Sequence, residues 1–423
     1  MAHNDISIAI IGGGIGGLSA ALSLLQAGFD VHVYEQARAL REVGAGIVIS
    51  PNATRILHRL GLAEPLSKLG VRPLEWHQRR WDDGRILLRA ELSEAAVAAF
   101  GFPHYQSHRA DVQIMLANAL PPGRLHTGYR LTTFVDHGDR VEAQFENGKS
   151  ATTDIVVGAD GIHSAVRGAL FGPDNPRFTG CIAYRGLVPA ERLRHLDLDV
   201  TMEVWMGPGK HFVHYFVQSQ RLMNFACLIE QESWFDESWT DRGKVADALA
   251  AYEGWHPQVR AIIEAVDETF IWAMFDRAPL LHWSVGRVTL LGDACHPMLP
   301  FMAQGSAQAI EDGATLAAVL AKADGSDIPQ ALRTYETIRL PRTSKVQAQA
   351  AANKTRFHLP DGPEQRERDA QMASGCTDWS TSAIGWVWGH DAAVIEETAL
   401  RNTSLQHDKE CDSHPGGRHG STH

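Results

Sequence analysis

Three glycine-bearing stretches, far apart and in a fixed order, constrain this chain more than anything else in it. They are Gly12-Gly13-Gly14-Ile15-Gly16-Gly17, Gly158-Ala159-Asp160-Gly161 and Gly292-Asp293-Ala294-Cys295-His296-Pro297. The first follows Ile6 to Ile11, an apolar run that reads as a buried parallel strand, and leads into Leu18 to Leu25, which reads as a helix. Strand, tight turn and helix in that order open a dinucleotide fold. Gly12 permits the turn, Gly14 lets the backbone approach a pyrophosphate, and Gly17 lets helix and strand pack closely, so that phosphates meet the helix N-terminus. Glu35 closes a second strand, Asp30 to Tyr34, 18 residues past Gly17, where a carboxylate accepts hydrogen bonds from a ribose. Alone, this unit is open between NAD, NADP and FAD, although Glu35 would repel a 2′-phosphate.

The late motif carries its own argument. Arg287 to Leu291 is an apolar strand, and Gly292-Asp293 at its carboxyl end places an acceptor where ligands sit in open α/β sheets. Gly305 then opens a helix, through Asp312, whose positive end can face an electron-rich ligand. The plainer alternative is that Asp293 only caps a turn.

Together the three motifs resemble the single-component FAD-dependent aromatic monooxygenases of the p-hydroxybenzoate hydroxylase type. The resemblance is strongest to the branch of salicylate hydroxylase, 6-hydroxynicotinate 3-monooxygenase and 3-hydroxybenzoate 6-hydroxylase, and runs over about residues 5 to 395. It implies an α/β fold: a Rossmann-type FAD-binding lobe, an inserted antiparallel β-sheet substrate lobe, and C-terminal helices. It also implies bound FAD, NADH or NADPH as a transient co-substrate, and O₂. Gly12, Gly14, Gly17 and Glu35 would hold the ADP half of FAD. Asp160, within Asp160 to Arg167, matches a middle motif associated with both FAD and the passing NAD(P)H. Asp293 would bind the ribityl chain, and Arg109 would touch the flavin.

The run Gly209 to Val217 is rich in β-branched and aromatic residues. As a strand it puts His211, Val213 and Tyr215 on one face and Phe212, His214 and Phe216 on the other. The resembling enzymes have a His and a Tyr at this spacing, where they bind the phenolic substrate and help deprotonate it. A flavin C4a-hydroperoxide attacks only an electron-rich ring, so a base that makes the phenolate has a clear use. His211 would take the proton directly or through Tyr215. His214 is the internal rival, and a satisfied core histidine is the plain alternative.

The loop His296 to Gly305 is expected to face flavin and substrate. Pro300 fixes its backbone, and Phe301 and Met302 make an apolar wall. The hydroxynicotinate enzymes carry histidines at the positions of Phe301 and Val48. Both departures favour a less polar phenol or hydroxy-heteroarene over a pyridine carboxylate, with Tyr105, His108 and Arg185 left as groups able to meet a carboxylate.

Composition bounds the rest. A chain of 423 residues with 44% hydrophobic content buries a core large enough for two lobes. A net charge of −11 argues against nucleic acid and anionic lipid, and no apolar run reaches the roughly 20 residues that span a bilayer. Five cysteines, at 181, 227, 295, 376 and 411, lack metal or redox spacing, so a reduced, cytoplasmic, metal-free protein is expected. Segments 1–72, 105–177 and 276–340 are assigned to the FAD lobe, and 73–104 and 178–275 to the substrate lobe. A C-terminal helical region, 341–405, and a disordered tail, 406–423, complete the chain. One helix is expected over Asn52 to Leu69, and another over Ala331 to Phe357 interrupted near Pro341. The expected function is NAD(P)H- and O₂-dependent hydroxylation of a phenolic or hydroxy-heteroaromatic acid, with or without decarboxylation, by a monomer or homodimer. The alternatives are a reductase or halogenase, the latter suggested by Trp386-Val387-Trp388, or a non-catalytic dinucleotide-binding regulator.

Overall fold

The computed structural model describes residues 6–40, 45–234, 241–323, 327–374 and 383–395. The expected tail 406–423, with Cys376 and Cys411, lies outside them.

Four parallel strands order the molecule. Val288–Leu290, Ile155–Gly158, Ser7–Ile11 and Asp30–Glu35 lie side by side, with Leu125–Thr127 and Ser284–Val285 at the two edges of a six-stranded sheet. Ile8, Ile10, Val31, Val33 and Val156 are fully buried, as expected of a sheet covered on both faces. Because the four strands run parallel and are adjacent, their carboxyl ends bring Gly292, Gly158, Gly12 and Glu35 to one edge.

The second layer is an eight-stranded sheet built from two distant segments. Its order is Asp241–Gly243, Thr269–Asp276, Arg177–Pro189, Leu222–Glu230, Lys210–Val217, Met202–Gly207, Glu75–Arg80 and Ile86–Glu91. It was expected to be antiparallel, and one pair departs: Met202–Gly207 runs parallel to Glu75–Arg80. These strands come from separate excursions of the chain, so no hairpin forces them to oppose. A small ladder, Gly46–Ile49 against Tyr105–His108, sits between the layers.

Two helix expectations need correction. Asn52 to Leu69 is not one helix but two, Pro51–Arg59 and Ala63–Leu69, with Gly61 between them at φ +79°. Conversely, Ile328–Phe357 is a single 30-residue helix with Pro341 inside it. Proline forfeits one backbone hydrogen bond there, but Arg339 before it, fully buried, and Arg342 after it are ion-paired with Glu311 and Asp312 and hold the helix on both sides. The span 178–275, expected to be sheet and turns, also holds the helices Val245–Ala251 and Pro257–Glu264, the second burying Val259, Ile262 and Ile263 at helical spacing.

Candidate active site

The glycine turn is a cradle that side chains would fill. Gly12 has φ +111°, and a Cβ on it would stand 2.4 Å from the Ala159 carbonyl oxygen; one on Gly17 would stand 2.1 Å from the Gly12 carbonyl oxygen. At Gly14 a Cβ would meet nothing within 4 Å, so this glycine faces open space at the start of the helix Ile15–Gln26. No side chain caps that helix and no acid lies in its first turn, which leaves its N–H groups for an anion. Glu35 accepts from the Gly13 N–H at 2.7 Å and the Ala37 N–H at 2.8 Å, and is thereby held beside the turn. Gln113, unnoticed in the sequence, donates to the Gly13 carbonyl at 2.7 Å.

We expect Gly17→Ala to fold into a protein that no longer retains FAD, because the turn must open to admit the methyl group. The ratio of flavin absorbance to protein after gel filtration checks this, and retention at the wild-type ratio would contradict it.

The middle and late motifs are tied together. Asp160 accepts from the Ser164 hydroxyl and from the N–H groups of Ala165 and Val166, which caps the helix Ala165–Phe171. Arg167 donates to the Ala294 carbonyl at 2.9 Å and pairs with Asp174. Asp293 is reached by solvent yet crowded by protein, as at the floor of a cleft. Crowding raises its carboxyl above the usual range, and His296, Arg109 and Arg277 oppose the shift. Arg109 begins the helix Arg109–Ala119, and its N–H donates to the Ala45 carbonyl at 3.1 Å. Gly305 begins the helix Gly305–Lys322, which lacks a side-chain cap and first-turn acids.

Beneath the late motif lies a charge network that the sequence did not announce. Arg339, fully buried, donates to Asp312 at 2.7 Å and Glu311 at 2.6 Å, while Asp312 accepts from the Gly292 N–H at 2.9 Å and lies 2.6 Å from His296 Nε2. Glu311 also takes Arg342 at 2.7 Å and the Asn52 amide at 2.6 Å. Cys295, His296 and Asp312 stand close enough for metal ligands. However, Asp312 is already committed to Arg339, and burial pushes the Cys295 thiol well up, away from thiolate. The cluster reads as scaffold.

The substrate face follows from register. His211 pairs with Met206 and Leu228, Val213 with Val204 and Ala226, and Tyr215 with Asn224. Directly opposed residues share a face, so one row reads Gln78, Val204, Val213, Ala226, Arg185 across five strands. His211 and Tyr215 lie on the same face, at opposite ends of a floor about 13 Å long centred on Val213. The Phe301 ring is centred 5.1 Å from that of His211, and Met302 is buried in the same apolar cluster as Val204, Met206 and Leu228. Pro300, exposed, starts the short turn that carries both. Val48 packs with Tyr215 and Val217.

His211 and Tyr215 thus stand at the two ends of one face rather than touch. Among the described residues no hydrogen bond joins them, so the expected handover of a proton from Tyr215 to His211 has no direct contact behind it. His214, the rival, is excluded by geometry: it faces the other side, where its Nε2 lies 3.4 Å from the Gln258 amide and Glu203 is its nearest acid.

Three polar groups on or beside this face were missed or left open. Arg185 donates to the Gly46 carbonyl at 3.1 Å, lies 4.1 Å over the Trp272 ring, and feels Tyr215 and Arg109 but no carboxylate. Burial pushes it down to about 10, so it remains a cation at neutral pH. Gln78 and Gln106 are fully buried, and their side-chain amides have no partner among the described residues. Gln106 stands opposite Val48 in the small ladder. Only the pairing registers reveal them. Trp388, by contrast, is packing, edge-on to Phe100 and beside His104.

The FAD binding domain family matches residues 5–350. The chain is 43% identical to 3-amino-4-hydroxybenzoate 2-monooxygenase PtmB3 of Streptomyces platensis, covering 93% of this chain and 98% of that one. It is 39% identical to 6-hydroxynicotinate 3-monooxygenase of Pseudomonas fluorescens, over 80% and 89%. The chain belongs to the FAD-dependent aromatic monooxygenases. Its fold matches the Klebsiella pneumoniae HpxO complex with FAD and uric acid, with a TM-score of 0.80, 27% identity, and coverage of 94% and 97%. FAD is therefore this monooxygenase's cofactor and a small aromatic molecule its substrate. The glycine cradle, the uncapped helix N-terminus and the recessed Asp293 fit that cofactor. No helix among the described residues is long and apolar enough to cross a membrane.

Proposed function

We propose that this monooxygenase hydroxylates an amino- or hydroxy-substituted 4-hydroxybenzoate, with the ring lying over Val213. The observation that carries the reading is Arg185, a half-buried cation without an acidic partner among the described residues, on the face shared by His211 and Tyr215. A substrate that covers this guanidinium and completes its burial must bring an anion to it, because a desolvated charge without a partner is costly. A substrate carboxylate is that anion. Gln78 and Gln106 supply amides for amino or hydroxyl substituents, and Val48, Phe301 and Met302 exclude water from the ring. This reading restores the carboxylate that the apolar side chains at 48 and 301 argued against, and assigns its contact to Arg185 instead. Relatives named for 3-amino-4-hydroxybenzoate favour that substitution pattern.

Bound FAD, reduced by NADH or NADPH, supplies an oxygen atom from O₂ to the ring carbon. The chain's own contribution is to bind, orient and ionise. Gly12, Gly14, Gly17 and Glu35 hold the ADP half, and Asp160, Asp293, Arg109 and Gly305 surround the rest. Tyr215, whose hydroxyl burial pushes up to about 12, stays a neutral phenol and a hydrogen-bond donor. His211, lowered well below its ordinary value by burial, stays neutral and accepts the phenolic proton. All these groups come from one chain, so a monomer or a homodimer serves equally. The described cysteines, 181, 227 and 295, are free and buried, which suits a reducing, cytoplasmic setting.

The test is NAD(P)H oxidation, O₂ uptake and product mass with 3-amino-4-hydroxybenzoate, 4-hydroxybenzoate, 3-hydroxybenzoate and 6-hydroxynicotinate. The first should give the highest coupled rate, with one oxygen atom added. Arg185→Met should raise KM for the benzoates by roughly 30-fold or more, the loss expected when one partner of a buried charge pair is removed, with FAD retained. An unchanged KM would remove the carboxylate contact.

A further inference from the structure

We propose that His358 and Glu230 form a proton relay from His211 to solvent. The proposal rests on the reading of His211 as base and goes beyond it by naming where the proton leaves. His211 Nδ1 lies 2.7 Å from His358 Nε2, and His358 Nδ1 lies 3.0 Å from Glu230 Oε1. Exposure rises at the outer end: His211 and His358 are buried, whereas the Glu230 side chain is 46% exposed.

The chemistry of the last group sets the direction of the whole chain. An ionised carboxylate only accepts, so His358 Nδ1–H donates to Glu230. The Nε2 of a neutral His358 is then an acceptor, and its hydrogen bond comes from His211 Nδ1–H. That leaves Nε2 of His211 as a lone pair, and it has no protein partner among the described residues. The tautomer required of a base is therefore dictated from outside the pocket.

Transfer follows in balanced steps. The phenolic O–H bond breaks, its electron pair stays on the substrate oxygen, and the proton bonds to His211 Nε2. The Nδ1 proton of His211 moves to His358 Nε2, the Nδ1 proton of His358 moves to Glu230, and Glu230 yields a proton to water. Nothing is oxidised or reduced. Run backwards, the chain returns a proton to the product phenolate.

The relay is held rigidly. His358 follows the last residue of the helix Ile328–Phe357, and its carbonyl accepts from the Gly209 N–H at 3.0 Å, in the turn before His211. Tyr252 donates to the His211 carbonyl at 2.6 Å, and Phe301 and Phe357 flank the imidazole. The other groups facing the pair are Lys354, whose ammonium donates to the Thr179 carbonyl, and the buried thiol Cys181. Burial lowers both imidazoles, His358 to about 4, so each passes a proton on rather than storing it.

The experiment uses the FAD-loaded enzyme, mixed with 3-amino-4-hydroxybenzoate in weak buffer with an indicator dye, in a stopped-flow instrument. Wild type should release a proton as the phenolate forms. His358→Asn should release it roughly tenfold more slowly or worse, with substrate affinity near wild type and the rate restored by added imidazole. Glu230→Gln, at a half-exposed site that tolerates change, should slow release by about threefold or more, because the carboxamide still accepts the His358 Nδ1–H but takes up no proton. Proton release at the wild-type rate in both variants would overturn the relay, as would slowing in His358→Asn that imidazole leaves untouched. His211→Ala separates the two readings. If it still releases the proton at the wild-type rate, the base assignment fails; if it abolishes release while both relay variants remain fast, only the relay fails.

Discussion

Arg339→Ala should cost about 3–5 kcal/mol of stability, the usual loss when one partner of a buried ion pair is removed, and should release FAD as well. The residue has no exposed surface, and its guanidinium fork divides between Asp312 and Glu311 while also reaching the Gln308 carbonyl at 3.2 Å and side chain at 2.8 Å. Removal leaves Glu311 to Arg342 and Asn52 but takes the only arginine from Asp312 among the described residues, and Asp312 is the group that holds Gly292 and His296 of the late motif in place. Arg339→Lys restores the charge but not the fork, and should recover only part of the loss. Thermal unfolding followed by flavin release measures both effects, and an unchanged midpoint would show the network to be dispensable. The same network predicts acid sensitivity. Against the opposing pull of burial, Glu311 and Asp312 are both held down at about 2, Glu311 by Arg339 and Arg342 and Asp312 by His296 and Arg339. Depressed carboxyl pKa values stabilise the fold above the unfolded range near pH 4, and that contribution disappears as pH falls from roughly 4 towards 2.

His211→Ala should lower the rate of coupled hydroxylation by about 10²–10⁴-fold, the range for loss of a positioned general base, while FAD stays bound. NAD(P)H oxidation should continue, with hydrogen peroxide replacing product. Tyr215→Phe should act in the same direction through the lost hydroxyl donor alone, because its ring is clamped against Gly46, where a Cβ would stand 2.6 Å from Tyr215 Cε2, and a phenylalanine ring keeps that place. Product yield per NAD(P)H consumed is the measurement, and unchanged coupling in both variants would remove the pair from the chemistry. The acid limb of the rate should lie below the ordinary imidazole pKa of about 6.5, since burial keeps His211 neutral there.

What was legible in the chain was what local geometry dictates. Gly12 and Gly17 are needed within a single turn, Glu35 ends the next strand, and the alternation of Lys210–Val217 sorts His211 and Tyr215 from His214 by simple parity. What was not legible depends on contacts across long intervals. His358 lies 147 residues from His211, and Asn52 lies 259 from Glu311. Nothing local marks either. Pro341 misled because its cost is local, whereas what keeps its helix unbroken is the buried anchoring of Arg339. Arg185 was visible as a possible carboxylate contact, but its lack of an acidic neighbour is a fact of three-dimensional packing.

Gly46 has a consequence for how such an enzyme diversifies. Its N–H donates to Asn224 at 2.7 Å, its carbonyl accepts from Arg185, and it has no room for a side chain. The spacing between ladder and sheet at that point is therefore fixed by the Gly46 main chain against the Asn224, Arg185 and Tyr215 side chains. Exchanges at side chains that do not touch Gly46, such as Val48 or Phe301, are then expected to alter substrate preference without changing that spacing.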